Sequence, residues 1–220
     1  MELPLFPLGT VLFPGLVLPL HVFEERYRAL VRHLVALPDG TPREFGVVAI
    51  RRGWEAGQQG ALTLHEVGCV AQVRQVTSHP DGRFDLATVG TRRFTIRHVD
   101  PQREPYLLAE VAWLDESTGP AGEVDRLLPA VLDLFQTYLR LVRPAQVGEQ
   151  VPDDPTVLSH VVAATVGLSL DERQALLAAP DTASRLRAER ALLRREVGLL
   201  GRVRAVPVPL SDLGVSSSPN

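Results

Sequence analysis

Hydrophobic and polar positions follow three rhythms along this chain. The first belongs to residues 2–28, ELPLFPLGTVLFPGLVLPLHVFEERYR, where apolar runs are broken by Pro4, Pro7, Pro14 and Pro19, with Gly9 and Gly15 between them. Proline fixes φ and removes a backbone donor, so these runs cannot be continuous helix or the middle of a regular sheet. They predict short strands at a sheet edge or barrel rim, with tight turns at Pro7-Leu8-Gly9 and Phe13-Pro14-Gly15. Phe6, Phe13, Leu16 and Leu18 are expected to be buried. Residues 22–36 then place Phe23, Tyr27, Leu30, Val31, Leu34 and Val35 at helical spacing among charges, which predicts an amphipathic helix on the sheet, ended by Pro38-Asp39-Gly40.

From 45 to 114 the pattern reads as strands: FGVVAI (45–50), ALTLHEVGCVAQVRQV (61–76), FDLATV (84–89), FTIRHV (94–99) and YLLAEVAW (106–113). Gly68 reads as a bulge or bend within the second, HPDGR (79–83) as a hairpin turn, and Gly90 as another turn. Several short strands with one early helix predict a small, partly open β-barrel.

After the polar stretch DESTGPAG (115–122) the period becomes 3.6. Val124, Leu127, Leu128, Val131, Leu134, Phe135, Tyr138, Leu141 and Val142 form one stripe, with Pro129 inside it predicting a kink or a helix start. Asp154 is an N-cap with Pro155 at the first helical position, and the helix runs to about Val166. Ser169-Leu-Asp-Glu172 is a capping box opening a helix over 170–178, and Asp181 caps a last helix over 182–202. The fold class is therefore α+β: a β pseudo-barrel over 1–117, a helical bundle over 118–203, and a flexible Pro/Ser-rich tail over 204–220.

Composition narrows function more than it defines it. The net charge is -3, which points to neither nucleic acid nor an acidic membrane surface. All 23 basic residues are arginine, so a P-loop lysine, a Schiff-base lysine and a serine–lysine dyad are excluded. The single cysteine, Cys69, excludes an internal disulfide. The start lacks a basic signal-peptide region, and no apolar run approaches membrane-spanning length, so a cytoplasmic protein is expected.

The opening LPLFPLGTVLFPGLVLPLHVFEERY resembles the start of the N-terminal, substrate-binding domain of Lon proteases. EVGCVAQV (66–73) resembles that family's Glu-x-Gly-x-x-Ala strand, VGTRRFTI (89–96) its Gly-x-x-Arg-Phe hairpin, and YLLAEVAWLDE (106–116) its closing strand. LSLDERQALLAAPDTASRLRAERALL (168–193) is similar to its helical part, with the Gln-x-x-Leu…Arg-Leu pattern. The resemblance spans residues 2–202. It implies a PUA-like pseudo-barrel followed by a helical bundle, and a role in recognising proteins or peptides. With no Walker motif and no lysine, the expectation is a Lon-N-like module without ATPase and peptidase domains, and not an enzyme. Its expected partners are unfolded or apolar segments of other proteins, together with a protease or chaperone for which it would act as adaptor. A nucleic-acid or small-ligand module is the alternative that PUA-like barrels also allow.

Candidate chemistry is sparse. His65 and Cys69 lie four apart on a strand, about 13 Å at ~3.3 Å per residue, too far for a thiol–imidazole pair. His21, His33, His65, His79, His98 and His160 show no paired-ligand spacing, so neither a metal nor any other cofactor is expected. His21 is expected at the helix entrance beside Glu24 and Glu25. Trp54, in the glycine-containing loop RRGWEAGQQG (51–60), reads either as an apolar peptide contact or as a cover for barrel surface. Arg187, Arg190 and Arg194 form one strip of the last helix, either an acidic-partner patch or a solvated flank balanced by Glu189 and Glu196.

Overall fold

The structure is a computed structural model that describes residues 1–52, 63–142 and 151–204. Seven strands come first: β1 (Glu2–Leu8), β2 (Val17–Val22), β3 (Glu44–Arg52), β4 (Thr63–Leu64), β5 (Val67–Ser78), β6 (Phe84–Asp100) and β7 (Leu108–Trp113). Helix α1 (Glu25–Ala36) lies between β2 and β3, and α2 (Glu123–Val142), α3 (Pro155–Thr165), α4 (Leu170–Leu177) and α5 (Thr182–Arg204) follow. Neighbouring strands run β1-β7-β6-β5-β3, and a parallel β1–β3 pair closes them into a ring. The barrel is thus closed where the sequence suggests a partly open one. Among the described residues only β4, on β3, and β2, on β6, stand outside the ring.

The proline-broken opening is built into that ring. Glu2, Leu3 and Pro4 pair with β7, and Leu5–Leu8 pair with β3. Each half of β1 therefore has one strand neighbour, and a proline in each half is tolerated on the flank that lacks one. Pro14-Gly15 makes the expected turn, with Gly15 at φ 80° and the Leu16 N–H donating to the Phe13 carbonyl. Phe6 and Phe13 are buried, while Leu16 and Leu18 are half-buried against the same core. His21 lies in β2 opposite Asp85, not at the helix entrance, because the strand pairing continues through Val22. Phe23 then falls between β2 and α1 and is 58% exposed, while Tyr27, Leu30, Val31 and Leu34 carry the buried stripe.

Alternation sorts the strands onto two faces. Leu3, Leu5, Val48, Val70, Phe94 and Val111 point inward, one or more from every strand of the ring. Phe6, Phe45, Val47, Cys69 and Ala71 point outward and are covered by α1 and by Ala163, Leu176 and Leu177 of α3 and α4. Phe94 fills the barrel centre and explains Gly68. A Cβ there would collide with the Phe94 ring and the Val47 carbonyl, so Gly68 marks a close approach instead of a bulge. The ladder's irregularities fall at Cys69/Ala71 and Val73/Gln75, and the predicted long strand breaks at His65-Glu66. Gly90 is no turn either. It lies inside the 17-residue β6, and a Cβ there would strike the Phe13 carbonyl.

The helical half follows its signals closely. Asp154 accepts from the Thr156 and Val157 amides, and the Ser169/Glu172 capping box is complete. Asp181 accepts from the Ser184 amide at 2.7 Å. Helix α2 begins at Glu123 and continues through Pro129, so proline does not mark its start. Leu127, Val131 and Phe135 of α2 pack with Leu158, Val162, Leu186 and Leu193 in a separate core.

Candidate functional site

The barrel and helices meet over a buried polar junction that charge counting alone does not reveal. Arg93 of β6 is 1% exposed, and its planar guanidinium reaches in three directions. It donates to Glu116 Oε1 at 2.5 Å, to the carbonyls of Leu177 and Ala179 at 2.7 Å each, and to the Asp115 carbonyl at 3.3 Å. One side chain therefore ties β6, the β7–α2 connection and the end of α4 together, and it also meets orphan carbonyls at that helix end. Arg185 of α5, also fully buried, donates to the Leu176 carbonyl at 3.1 Å and to Ser159 at 2.9 Å, with Glu116 3.6 Å away. Gln174 Nε2 donates to the Val67 carbonyl at 2.8 Å, joining α4 to β5.

Electrostatics at this junction follow from burial. Desolvation opposes ionisation of Glu116, yet the nearby His160, 3.7 Å away, and the hydrogen bond and charge of Arg93 outweigh it and bring its pKa down to about 2. Burial pulls His160 below the ordinary imidazole range. Glu189, deep in the bundle, is pushed well above the usual carboxylate range by desolvation, with Arg185 only partly opposing. The junction is a structural clamp: Arg93, Arg185, His160 and Glu189 are buried, and none of them lines either of the grooves beside β4. Burial also pushes the Cys69 thiol up, which removes it as a nucleophile.

Two adjoining grooves offer what the junction does not. The first, of about 490 Å³, has an apolar floor of Leu64, Ile96, Val99 and Leu107, with Pro101 at its side. The second, of about 600 Å³, lies between β4 and α4 and is more polar, with Arg51, Asp171 and Gln174 on its walls. Thr63, Leu64, His65 and Glu66 border both, so this short segment is the ridge between them. His65 Nε2 lies 3.9 Å from Asp171 across the second groove. Among the described residues β4 pairs with β3 alone, which leaves its other flank without a strand neighbour.

The residues singled out from sequence are placed differently. Trp54 lies outside the described residues. Arg187 is ion-paired with Glu123 of α2. Arg190 is half-buried and Arg194 exposed, and neither has an ion-pair partner among the described residues. The buried pair Arg93 and Arg185 was not singled out as a candidate. The available signal was that both fall inside quoted motifs, as the arginines of Gly-x-x-Arg-Phe and Arg-Leu. Ile96 and Leu107 of the groove floor also fall inside quoted stretches, VGTRRFTI and YLLAEVAWLDE, but read there as ordinary strand residues.

A closed pseudo-barrel clamped to a helical bundle, with an apolar groove beside a strand edge that is unpaired among the described residues, has the architecture of a binding module. The model of the ATP-dependent protease La (LON) substrate-binding domain matches residues 2–195, and the chain belongs to that family. Lon protease 2 of Herpetosiphon aurantiacus is 29% identical over 206 residues, covering 91% of this chain and 24% of that protein. The Lon protease of Escherichia coli K12 is 28% identical over 205 residues, covering 91% and 25%. The chain thus spans about a quarter of the length of these curated relatives. Among solved structures, the Lon N-terminal domain protein from Xanthomonas campestris is 28% identical with a TM-score of 0.58, covering 88% of this chain and 98% of that one. The N-terminal domain of Mycobacterium avium complex Lon protease shares the fold, with a TM-score of 0.67 at 20% identity, covering 90% and 98%. Among the described residues no helix is long and apolar enough to cross a membrane.

Proposed function

We propose that this chain is a non-catalytic recognition module that takes extended apolar segments of protein substrates along the β4 edge of the first groove. The observation that carries this reading is the apolar floor of Leu64, Ile96, Val99 and Leu107 lying directly beside a strand flank with no described neighbour. An extended peptide added there would gain main-chain hydrogen bonds from the edge and bury alternate side chains on the floor. Affinity would then depend on an exposed, unfolded backbone more than on a particular sequence, which suits a substrate-binding domain.

The remaining candidates are proposed as further contacts. Trp54 belongs to a segment that leaves the described structure after Arg52 and returns at Thr63, a residue of both groove walls. It is proposed as a further apolar contact for the same peptide. A partner of acidic surface, such as a protease or chaperone served by this module as an adaptor, would meet Arg190 and Arg194, since Arg187 is already paired. The nucleic-acid alternative gains little here. The described lining of the first groove includes Glu66 and no arginine, whereas phosphate recognition needs cations.

The test is fluorescence anisotropy with one labelled client held either unfolded or folded. Preference for the unfolded form is expected, with Leu64→Asp and Val99→Asp each weakening it at least about ten-fold, or ~1.4 kcal/mol. Equal binding of folded and unfolded client, or full binding by both groove variants with folds intact, would overturn the reading. Steep loss of binding with added salt would instead favour a phosphate-rich ligand.

A further inference from the structure

Where β2, β6 and the β5–β6 hairpin meet, two histidines far apart in sequence converge on one carboxylate. His21 stands opposite Asp85 in the β2–β6 ladder, and Thr77 of β5 flanks Asp85 on its other side. His79 heads the hairpin turn. Its N–H donates to the Arg83 carbonyl, and its own carbonyl accepts from Gly82, both at 2.9 Å. Gly82, at φ 81°, is what lets the turn close this tightly. Regular strand pairing and a closed turn thus fix the backbones of all three residues.

The side chains meet in a compact cluster. His21 Nδ1 and Asp85 Oδ1 are 2.6 Å apart, as are His79 Nε2 and Asp85 Oδ2. All three sets of ligand atoms lie within 4.8 Å of one another. Ligand atoms around a tetrahedral ion with bonds of about 2.0–2.1 Å are roughly 3.3 Å apart, inside that range. The cluster's side chains are 36–49% exposed, so water can complete the coordination.

We propose that His21, His79 and Asp85 form a binding site for a divalent transition-metal ion of zinc's class. Two imidazoles and one carboxylate suit zinc, cobalt, nickel or copper, whereas magnesium and calcium require oxygen ligands. On ion binding, the Asp85 carboxylate exchanges two hydrogen bonds for one metal bond, and His21 carries its proton on Nε2 instead of Nδ1. Arg83 Nη1, 3.4 Å from that Nε2, turns away, while its Nε and Nη2 stay on Asp81 at 2.7 and 2.6 Å. Asp81 balances the arginine's charge, so the nearest cation does not stand unopposed against the ion. The bound ion would join β2, whose ladder is to β6, to the tip of the β5–β6 hairpin.

Isothermal titration of the full, chelator-treated chain with zinc chloride tests this, and cobalt absorption in the visible reports the ligand set. One zinc ion per chain is expected, with no saturable uptake of magnesium or calcium. His21→Gln, His79→Gln and Asp85→Asn should each weaken binding more than the about 10–100-fold typical of losing an outer-shell partner. His33→Gln and His98→Gln should leave it unchanged. All three site residues are partly exposed, so circular dichroism should report intact folds. Absence of saturable binding by zinc, cobalt and nickel overturns the proposal and leaves the cluster a hydrogen-bonded clasp. Zinc binding that survives both His79→Gln and Asp85→Asn overturns it too.

Discussion

Replacing Arg93 by methionine should be among the most destabilising single changes available to this chain. Methionine keeps much of the apolar stem, so the loss is that of the guanidinium. Four hydrogen bonds disappear, to Glu116, Leu177, Ala179 and Asp115. Breaking a buried ion pair by removing one partner costs about 3–5 kcal/mol, and each buried acceptor left unpaired costs about 1–3 kcal/mol. These figures overlap and do not sum. Glu116 also keeps Arg185 at 3.6 Å and His160 at 3.7 Å, which limits the loss. The expected destabilisation is about 3–5 kcal/mol. At roughly 2–4 °C per kcal/mol for a chain of this size, the midpoint should fall by roughly 6–20 °C. Arg93→Lys should recover only part of it, because a single ammonium cannot reach acceptors in three directions as a planar fork does. Urea unfolding followed by far-ultraviolet circular dichroism and tryptophan fluorescence measures the change, and a double-mutant cycle with Glu116→Gln isolates the pair. A loss below about 1 kcal/mol, or an Arg93→Lys variant as stable as the parent, would refute the assignment of Arg93 as the clamp.

Acid should attack the same junction. Glu116 has its pKa lowered from 4.5 to about 2, so its contribution is present above pH 4.5 and lost as pH falls toward 2. Stability measured from pH 6 to 2 should drop less steeply in Glu116→Gln. Glu189 has the opposite sign: its raised pKa means that stability is fullest below the ordinary 4.5 and is lost as pH rises through the folded value. Glu189→Gln should therefore gain stability relative to the parent at pH 8 compared with pH 4, and a constant difference across that range would contradict the burial argument. Gly68→Ala should cost about 1–3 kcal/mol through overpacking against Phe94, read by thermal unfolding, and a neutral effect would mean that the barrel centre is looser than its geometry indicates.

Much of this fold is legible from local chemistry. Asp154-Pro155 and Ser169…Glu172 state where helices begin, because capping is settled within four residues. His79-Pro-Asp-Gly-Arg83 states a hairpin for the same reason. The errors share one cause. Gly68 and Gly90 look like bends when only the chain is visible, yet each is small because a distant group, Phe94 or the Phe13 carbonyl, occupies the space its side chain would need. His21 looks like part of a helix entrance because Glu24 and Glu25 are near in sequence, whereas its partner Asp85 is 64 positions away. Closure of the barrel depends on a parallel pairing of β1 with β3 across an intervening helix, and no local pattern announces it.

Most of the residues that define the quoted motifs answer to a different demand from the groove. Gly68, Arg93, Phe94 and Arg185 serve either the barrel centre or its clamp to the helices, Gly90 leaves room for the Phe13 carbonyl, and none of the five lines the first groove. Gln174 does both, holding the Val67 carbonyl while forming part of the second groove, and Glu66, which opens the Glu-x-Gly-x-x-Ala strand, lines both grooves. A resemblance carried by these residues therefore reports mainly the frame, through contacts that a substitution would disrupt at a cost of about 1–5 kcal/mol. The groove floor is under a weaker constraint. Leu64, Ile96, Val99 and Leu107 need only be apolar, and exchanges among aliphatic side chains on a half-buried face cost little. If the groove takes substrate as proposed, its choice can drift while the fold stays fixed, because the residues that would choose are not the residues that hold the barrel to its helices.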